Sequence, residues 1–197
     1  MIVGMRQNKA IAIIGEIGSG KSSVINIIEK LGYRVIVSDE INKMLIGNLN
    51  YRRLLKSLFL DCFDGETLDK SKLRKKIVNS SEARYQLNNL AHPIIMGIIN
   101  RKIEELDDVV FVEISAPSEN NIRDFDECIL VTANKYVRLL RIMNRDNVSK
   151  NEAMSIIEMQ EEMFNRINTE HCFVISNDFD MEHLRQQVSN IVAKIVK

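Results

Sequence analysis

Apolar residues are distributed along the chain in two rhythms. Five short runs are nearly continuous in Ile, Val and Phe: Ala10–Ile14, Arg34–Val37, Val109–Ile114, Cys128–Thr132 and Cys172–Ile175. Unbroken runs of this kind suit strands of a parallel sheet covered by helices on both faces, whereas a strand with one wet face alternates. Between the runs, apolar positions recur at helical spacing. Lys21–Leu31 predicts a helix stopped by Gly32. Ser149 followed by Glu152 predicts a capping box, opening a helix that runs to about Arg166. Asp180 predicts the cap of a last helix whose apolar face carries Leu184, Val188, Ile191 and Ile195.

This alternation predicts an α/β fold, a doubly wound parallel sheet of about five strands. One segment breaks the rhythm. Between the second and third runs lie about 70 residues of helical patterning, where a simple crossover needs only a dozen or so. Residues of about 40–107 are therefore expected to form a helical excursion over the sheet's carboxyl edge, where such insertions bind substrate. The chain 1–197 otherwise reads as a single domain without repeats, low-complexity tracts or long linkers.

Composition narrows the partners. Lys+Arg 27 balance Asp+Glu 27, which argues against a nucleic-acid partner and against a polybasic membrane binder. No apolar stretch approaches the roughly 18 residues of a membrane span, and "MIVGMRQNK" lacks a leader's apolar region. Cys62, Cys128 and Cys172 are widely spaced, without a metal-ligand pattern, and read as free thiols of a reducing compartment. The expectation is a cytoplasmic protein.

The first apolar run leads into "GEIGSGKSSV", where Gly15-x-x-x-x-Gly20-Lys21-Ser22 satisfies G-x-x-x-x-G-K-S/T in full. Glycines let such a loop turn tightly and aim successive N–H groups inward, so that a polyphosphate meets a ring of donors. The following helix points its positive dipole end at the same place. Gly15, Gly18, Ser19, Gly20, Lys21, Ser22 and Ser23 are accordingly the candidate ATP-binding residues, with Lys21 on the outer phosphates and the Ser22 hydroxyl on Mg²⁺. The motif alone does not choose between a kinase, a GTPase and a motor. "ANKY", residues 133–136, begins like a guanine-reading segment but has Tyr136 where an Asp belongs. Lys135, Arg138, Arg141 and Arg145 fall three or four apart and share one helix face. That face reads either as a solvated charged surface or as a lid, about 135–165, that brings arginines over a transferring phosphate.

Beyond the loop, the segment "IAIIGEIGSGKSSVINIIEKLGYRVIVSDEI" resembles the opening of the dephospho-coenzyme A kinases, with a G-G-I-G-S-G-K-S/T loop and a second strand ending in D-A-D. "DGETLDKSKLRKKIV" is similar to that family's G-x-L-D-R-x-x-L-R segment, and "LNNLAHPII" to its L-x-x-I/L-x-H-P element. "RLLRIMNRDNVSKNEAMSIIEMQ" and "VISN" resemble its lid and fifth strand. The matches occur in order over almost the whole chain. The resemblance implies transfer of the ATP γ-phosphoryl group to the ribose 3′-hydroxyl of dephospho-CoA. It makes Asp39 the second Asp of D-A-D, accepting or orienting the acceptor hydroxyl's proton; read from the residues alone, Asp39 is equally a helix N-cap. Arg141 and Arg145 match lid arginines that neutralise the transferred group, and Arg74 and His92 match substrate-side positions. His-Pro at a helix start also caps or packs. Glu113 ends the third strand and reads either as a carboxylate holding Mg²⁺ through water or as the cap of the next turn.

The pattern has departures. Glu16 replaces the second glycine of the loop, Val37 stands at the first Asp of D-A-D, and "SAPSE", residues 115–119, replaces P-L-L-F-E. Ser155 stands where the lid's return helix has Arg, and the stretch after Gln160 is one residue longer. Two other readings stay open on the sequence: a kinase of nucleosides or nucleoside monophosphates, and a nucleotide-binding protein without transfer activity.

Overall fold

The structure, a computed structural model, describes residues 9–197; residues 1–8, on which most of the leader reading rests, lie outside the described residues. In chain order the elements are β1 (Ala10–Gly15), α1 (Lys21–Lys30), β2 (Arg34–Val37), α2 (Ser38–Gly47), α3 (Leu49–Leu58), β3 (Phe63–Asp64), β4 (Thr67–Leu68), α4 (Lys70–Asn79) and α5 (Ser81–Glu104). They continue with β5 (Val110–Glu113), α6 (Glu119–Ile122), β6 (Glu127–Thr132), α7 (Lys135–Asp146), α8 (Lys150–Phe164), β7 (Phe173–Ser176) and α9 (Met181–Ile195). The five expected apolar runs are the five strands of one parallel sheet, in the order β2-β5-β1-β6-β7.

Strand β1 has no solvent exposure from Ala10 to Ile14, because it is central and covered on both faces. Its alternate residues Ile11 and Ile13 face a core with Phe111, Ile129, Val131 and Ile175. Val24, Ile27 and Ile28 of α1 and Leu184, Val188 and Val192 of α9 close that core. The predicted helix ends are present. Gly32, at φ +93°, donates to Glu29 O, and Tyr33 N donates to Ile28 O, the double bond pattern of a Schellman end. Asp180 accepts from His183 N at 2.8 Å. Ser149 and Glu152 form the reciprocal capping box, and the helix they open ends at Phe164, two residues before the expected Arg166.

A second compact unit spans Ser38–Asn100. Its buried residues include Ile41, Leu45, Tyr51, Leu55 and Phe59, brought together by α2 and α3. The expectation of helix throughout the excursion is corrected at Phe63–Leu68, where β3 and β4 pair antiparallel around Gly65–Glu66. Two residues are the length of the tightest hairpin loop, and a glycine there allows the turn. The excursion also starts at Ser38, directly after β2, rather than near residue 40.

Nothing lies within 4 Å of a Cβ built on Gly32, so the cost of adding one is conformational. Gly32→Ala is expected to destabilise the protein by about 1 kcal/mol. Urea unfolding checks this: the midpoint should fall with the slope unchanged.

Candidate functional site

Strand β1 lies between β5 and β6, so the chain reverses its direction of winding there, and the crevice beyond β1's carboxyl end is where doubly wound sheets bind ligands. The glycine-rich loop leaves from that point. Ser19 N donates to Glu16 O at 3.1 Å, closing the turn, and Lys21 Nζ folds back to Gly15 O at 2.6 Å. Gly20 opens α1 at φ +94° without a side-chain cap, as an anion-binding helix start requires. Asn177 Nδ2 donates to Ser19 O at 2.8 Å, and a Cβ on Gly20 would stand 1.9 Å from that nitrogen. Only glycine fits Gly20 on both counts. The Ser22 side chain is on an exposed residue of the first turn of α1; Ser23 is half-buried.

Helices α7 and α8 form a hairpin with a small core of Leu139, Ile142, Ala153 and Ile157, and Ile17 of the loop packs against it. The backbone of Ile17 is held as well: its N–H donates to Gln160 Oε1 at 2.5 Å, and its carbonyl accepts from Arg138 Nε at 3.1 Å. Arg138 Nη1 pairs with Glu16 Oε2 at 2.7 Å and lies 3.6 Å from Glu161 Oε1. Glu16, the acid in the loop, thus faces α7. Burial pushes its carboxyl up from the usual range, and Arg138 pulls it back only in part.

The basic face of α7 is not a uniformly solvated surface. Arg138 is 3% exposed. Arg141 Nη1 donates to Gly18 O and Ser19 O at 3.1 and 3.3 Å, and its Nη2 to Asn177 O at 3.0 Å. Lys135 pairs with Glu161, and Arg145, largely exposed, pairs with Asp146. Of Arg141 and Arg145, Arg141 is therefore the one on the loop. Glu113 is buried at the end of β5, in register with Ile13 of β1, and accepts from Ser115 Oγ at 3.0 and 3.1 Å.

Asp39, Arg74 and His92 belong to the Ser38–Asn100 unit. Asp39 is exposed and is the second residue of α2, so it lies inside the first turn rather than at the N-cap. There its charge favours the helix dipole. Arg74 is exposed on α4. His92 and Pro93 sit within the 24-residue α5, which corrects the reading of His-Pro as a helix start. His92 is half-buried, its Nε2 has no protein partner, and burial pushes its pKa down. Of Arg138, Gln160, Asn177 and Ser115, which hold the site, only Arg138 was named from sequence as a candidate, one of the basic residues along α7. The spacing of Arg138 to Arg141 and the anomalous acid Glu16 were the available signals.

A family model described as dephospho-CoA kinase matches residues 9–183. The dephospho-CoA kinase of Streptococcus thermophilus is 32% identical over 190 residues, covering 92% of this chain and 95% of the relative. A crystal structure of a Thermus thermophilus protein aligns over 96% of this chain and 99% of its own, with 25% identity and a TM-score of 0.75. A dephospho-CoA kinase structure from Campylobacter jejuni aligns over 96% and 98%, with 26% identity and a TM-score of 0.56.

The lowered pKa of His92 sets a pH dependence. Between its folded pKa and the unfolded value near 6.5, the unfolded chain binds more protons, so stability falls as pH drops through that window and is complete above it. His92→Gln is expected to flatten this part of the profile. Thermal unfolding of both proteins from pH 7.5 to 5 checks it: their difference in Tm should be constant above about 6.5 and change below.

Proposed function

Since the chain belongs to the dephospho-CoA kinase family, we propose that it transfers the γ-phosphoryl group of ATP to the ribose 3′-hydroxyl of dephospho-CoA, the last step of coenzyme A synthesis. The observation that carries the ATP half is the loop itself: a strand–loop–helix with Gly15, Gly18 and Gly20, Lys21 at its centre and a buried arginine-bearing helix against it. The 3′-oxygen attacks the γ-phosphorus, the bond to the βγ-bridging oxygen breaks, and ADP leaves. The proton of the 3′-hydroxyl passes to Asp39, which is also the residue that orients it. Lys21 and Arg141 neutralise charge on the outer phosphates, and Arg145 joins them from the next turn of α7. Ser19 and Ser23 flank the cradle. Arg74 and His92 bind the acceptor from the helical excursion, and the α7–α8 lid belongs to the same kinase domain.

Mg²⁺ is the family's expected companion of ATP. Ser22 and Glu113 supply hard oxygen donors, which suits this ion. Among the described residues no cluster of three or more His, Cys, Asp or Glu is arranged to hold a metal. When bound, it would supply neutralisation of the charge on the outer phosphates. The reaction is assigned to the cytoplasm, with small molecules as partners and neither nucleic acid nor membrane; the three cysteines are free thiols, and no helix among the described residues is long and apolar enough to cross a membrane.

The direct test is CoA formation from ATP and dephospho-CoA, followed by mass, beside a panel of nucleoside monophosphates; turnover of a nucleotide acceptor without CoA would overturn the assignment. Lys21→Ala is expected to lower kcat/KM by about 10³-fold, because this chemistry depends on positioning and charge. Near-normal turnover in that variant rejects the mechanism. Asp39→Asn should lower kcat by roughly 10²-fold or more while the affinity for ATP changes little. Loss of ATP affinity with kcat preserved would make Asp39 a structural residue instead.

A further inference from the structure

A carboxylate in a phosphate-binding loop opposes the ligand unless something neutralises it or turns it away. Glu16 occupies the loop position where the resembling family carries glycine, and the structure shows where it goes. Its Oε2 meets Arg138 Nη1 at 2.7 Å, in a contact where Arg138 is 3% exposed. The other charged groups facing Glu16 are Lys135, also on α7, and Glu161 on α8, which pair with each other at 2.9 Å. Arg138 is therefore the cation in direct contact with Glu16, at 2.7 Å against 3.6 Å to Glu161. The same guanidinium donates through Nε to Ile17 O, so one side chain fixes two consecutive loop residues. One helical turn further on, Arg141 reaches Gly18 O, Ser19 O and Asn177 O. Whatever sets the seat of α7 on the loop sets Arg141 too.

We propose that Glu16 and Arg138 act as a positioning pair for phosphoryl transfer: Arg138 holds the loop's acid away from the polyphosphate and, in the same contact, seats α7 so that Arg141 lies on the loop. Neither residue touches a reacting atom. The proposal rests on the reading of this loop as the ATP site. It separates two effects of Arg138. Its charge governs nucleotide affinity, through Glu16. Its planar, forked geometry governs the seat of α7, and so the transfer step, because a lysine cannot reproduce the donation to Ile17 O and Glu16 together.

The test measures ADP affinity by calorimetry and turnover with ATP and dephospho-CoA, each relative to wild type at the same pH. Arg138→Gln leaves Glu16 ionised and facing the nucleotide, so ADP should bind about tenfold more weakly at pH 8. The deficit should shrink as pH falls and Glu16 takes up a proton. Adding Glu16→Gln should restore most of the affinity and remove the pH dependence of the ratio. Arg138→Lys keeps the charge and serves if the glutamine variant does not fold: its ADP affinity should stay within about threefold of wild type while kcat falls by about tenfold. Equal ADP affinity in wild type and Arg138→Gln at pH 8, or a loss that Glu16→Gln does not relieve, overturns the charge role. Unchanged kcat in Arg138→Lys overturns the seating role. Absence of CoA formation by the wild type, with ADP bound and the affinity pattern intact, would reject the assigned reaction and leave the pair standing.

Discussion

The phosphate site depends on the capture of one loop residue, Ile17, by the α7–α8 hairpin. A loop with three glycines has many conformations open to it, and fixing each residue costs roughly 1–2 kcal/mol. A cradle for phosphates is useful only if its amides already point inward when the ligand arrives. Ile17 is held in three independent ways: its side chain lies against Leu139 and its neighbours, its N–H is bound by Gln160, and its carbonyl by Arg138. Each hydrogen bond returns about 1 kcal/mol net. Together the two return about 2 kcal/mol, the ordering cost of one or two residues. The hairpin thus makes the loop's native shape competitive before any nucleotide binds, and it does so without using the amides at the start of α1.

Glu16 shows how such a contact is tuned by charge. Desolvation is the largest influence on its carboxyl and outweighs the attraction of Arg138, so the folded pKa lies above the ordinary 4.5. An acid raised in this way makes folding less favourable as pH rises through the interval between the two values, because the folded state holds the proton longer. Ionising Glu16 is thus harder in the folded chain than in the unfolded one, which agrees with the general weakness of buried ion pairs as stabilisers. Breaking the pair is another matter, since Arg138 would keep its charge in a site it cannot leave. A contact that is costly to break and weak as a stabiliser is better explained by geometry than by stability.

The sheet was legible because full burial leaves an unbroken apolar run, and β1, β2, β5, β6 and β7 all carry one. Caps were legible because their chemistry is local: Ser149 with Glu152, Asp180, and Gly32 after α1. The β3–β4 hairpin was not, since two residues per strand are too few to show a period against a helical background. His92-Pro93 misled for a related reason: proline is tolerated best in a helix's first turn, and the long α5 accommodates it well inside. Within the site, the loop announces itself by spacing alone. Its supports do not, because Glu16 and Arg138 are 122 residues apart, and Ser19 and Asn177 are 158 apart. An odd acid in a glycine loop is a local signal that a partner must exist; only the fold says which.

Those distant partners converge because parallel strands deliver all their carboxyl ends to one edge. Asn177 follows β7, donates its N–H to Thr132 O at the end of β6, and reaches Ser19 with its side chain. Next to it, Asp178 accepts from Asn134 N at 2.6 Å and from Ser176 Oγ at 3.0 Å, and Asn134 caps α7 through Tyr136 N. Arg141 then joins Asn177 O to the loop carbonyls. The turn after β7 therefore grips the glycine-rich loop and the start of α7 at once. Because the two are fixed by one short segment, the position of Arg141 relative to the loop is set by the backbone of that segment. Charge on α7 and glycine in the loop are then two halves of one requirement: the helix must come close enough for its arginine to reach loop carbonyls, and only a loop with little side chain leaves it room.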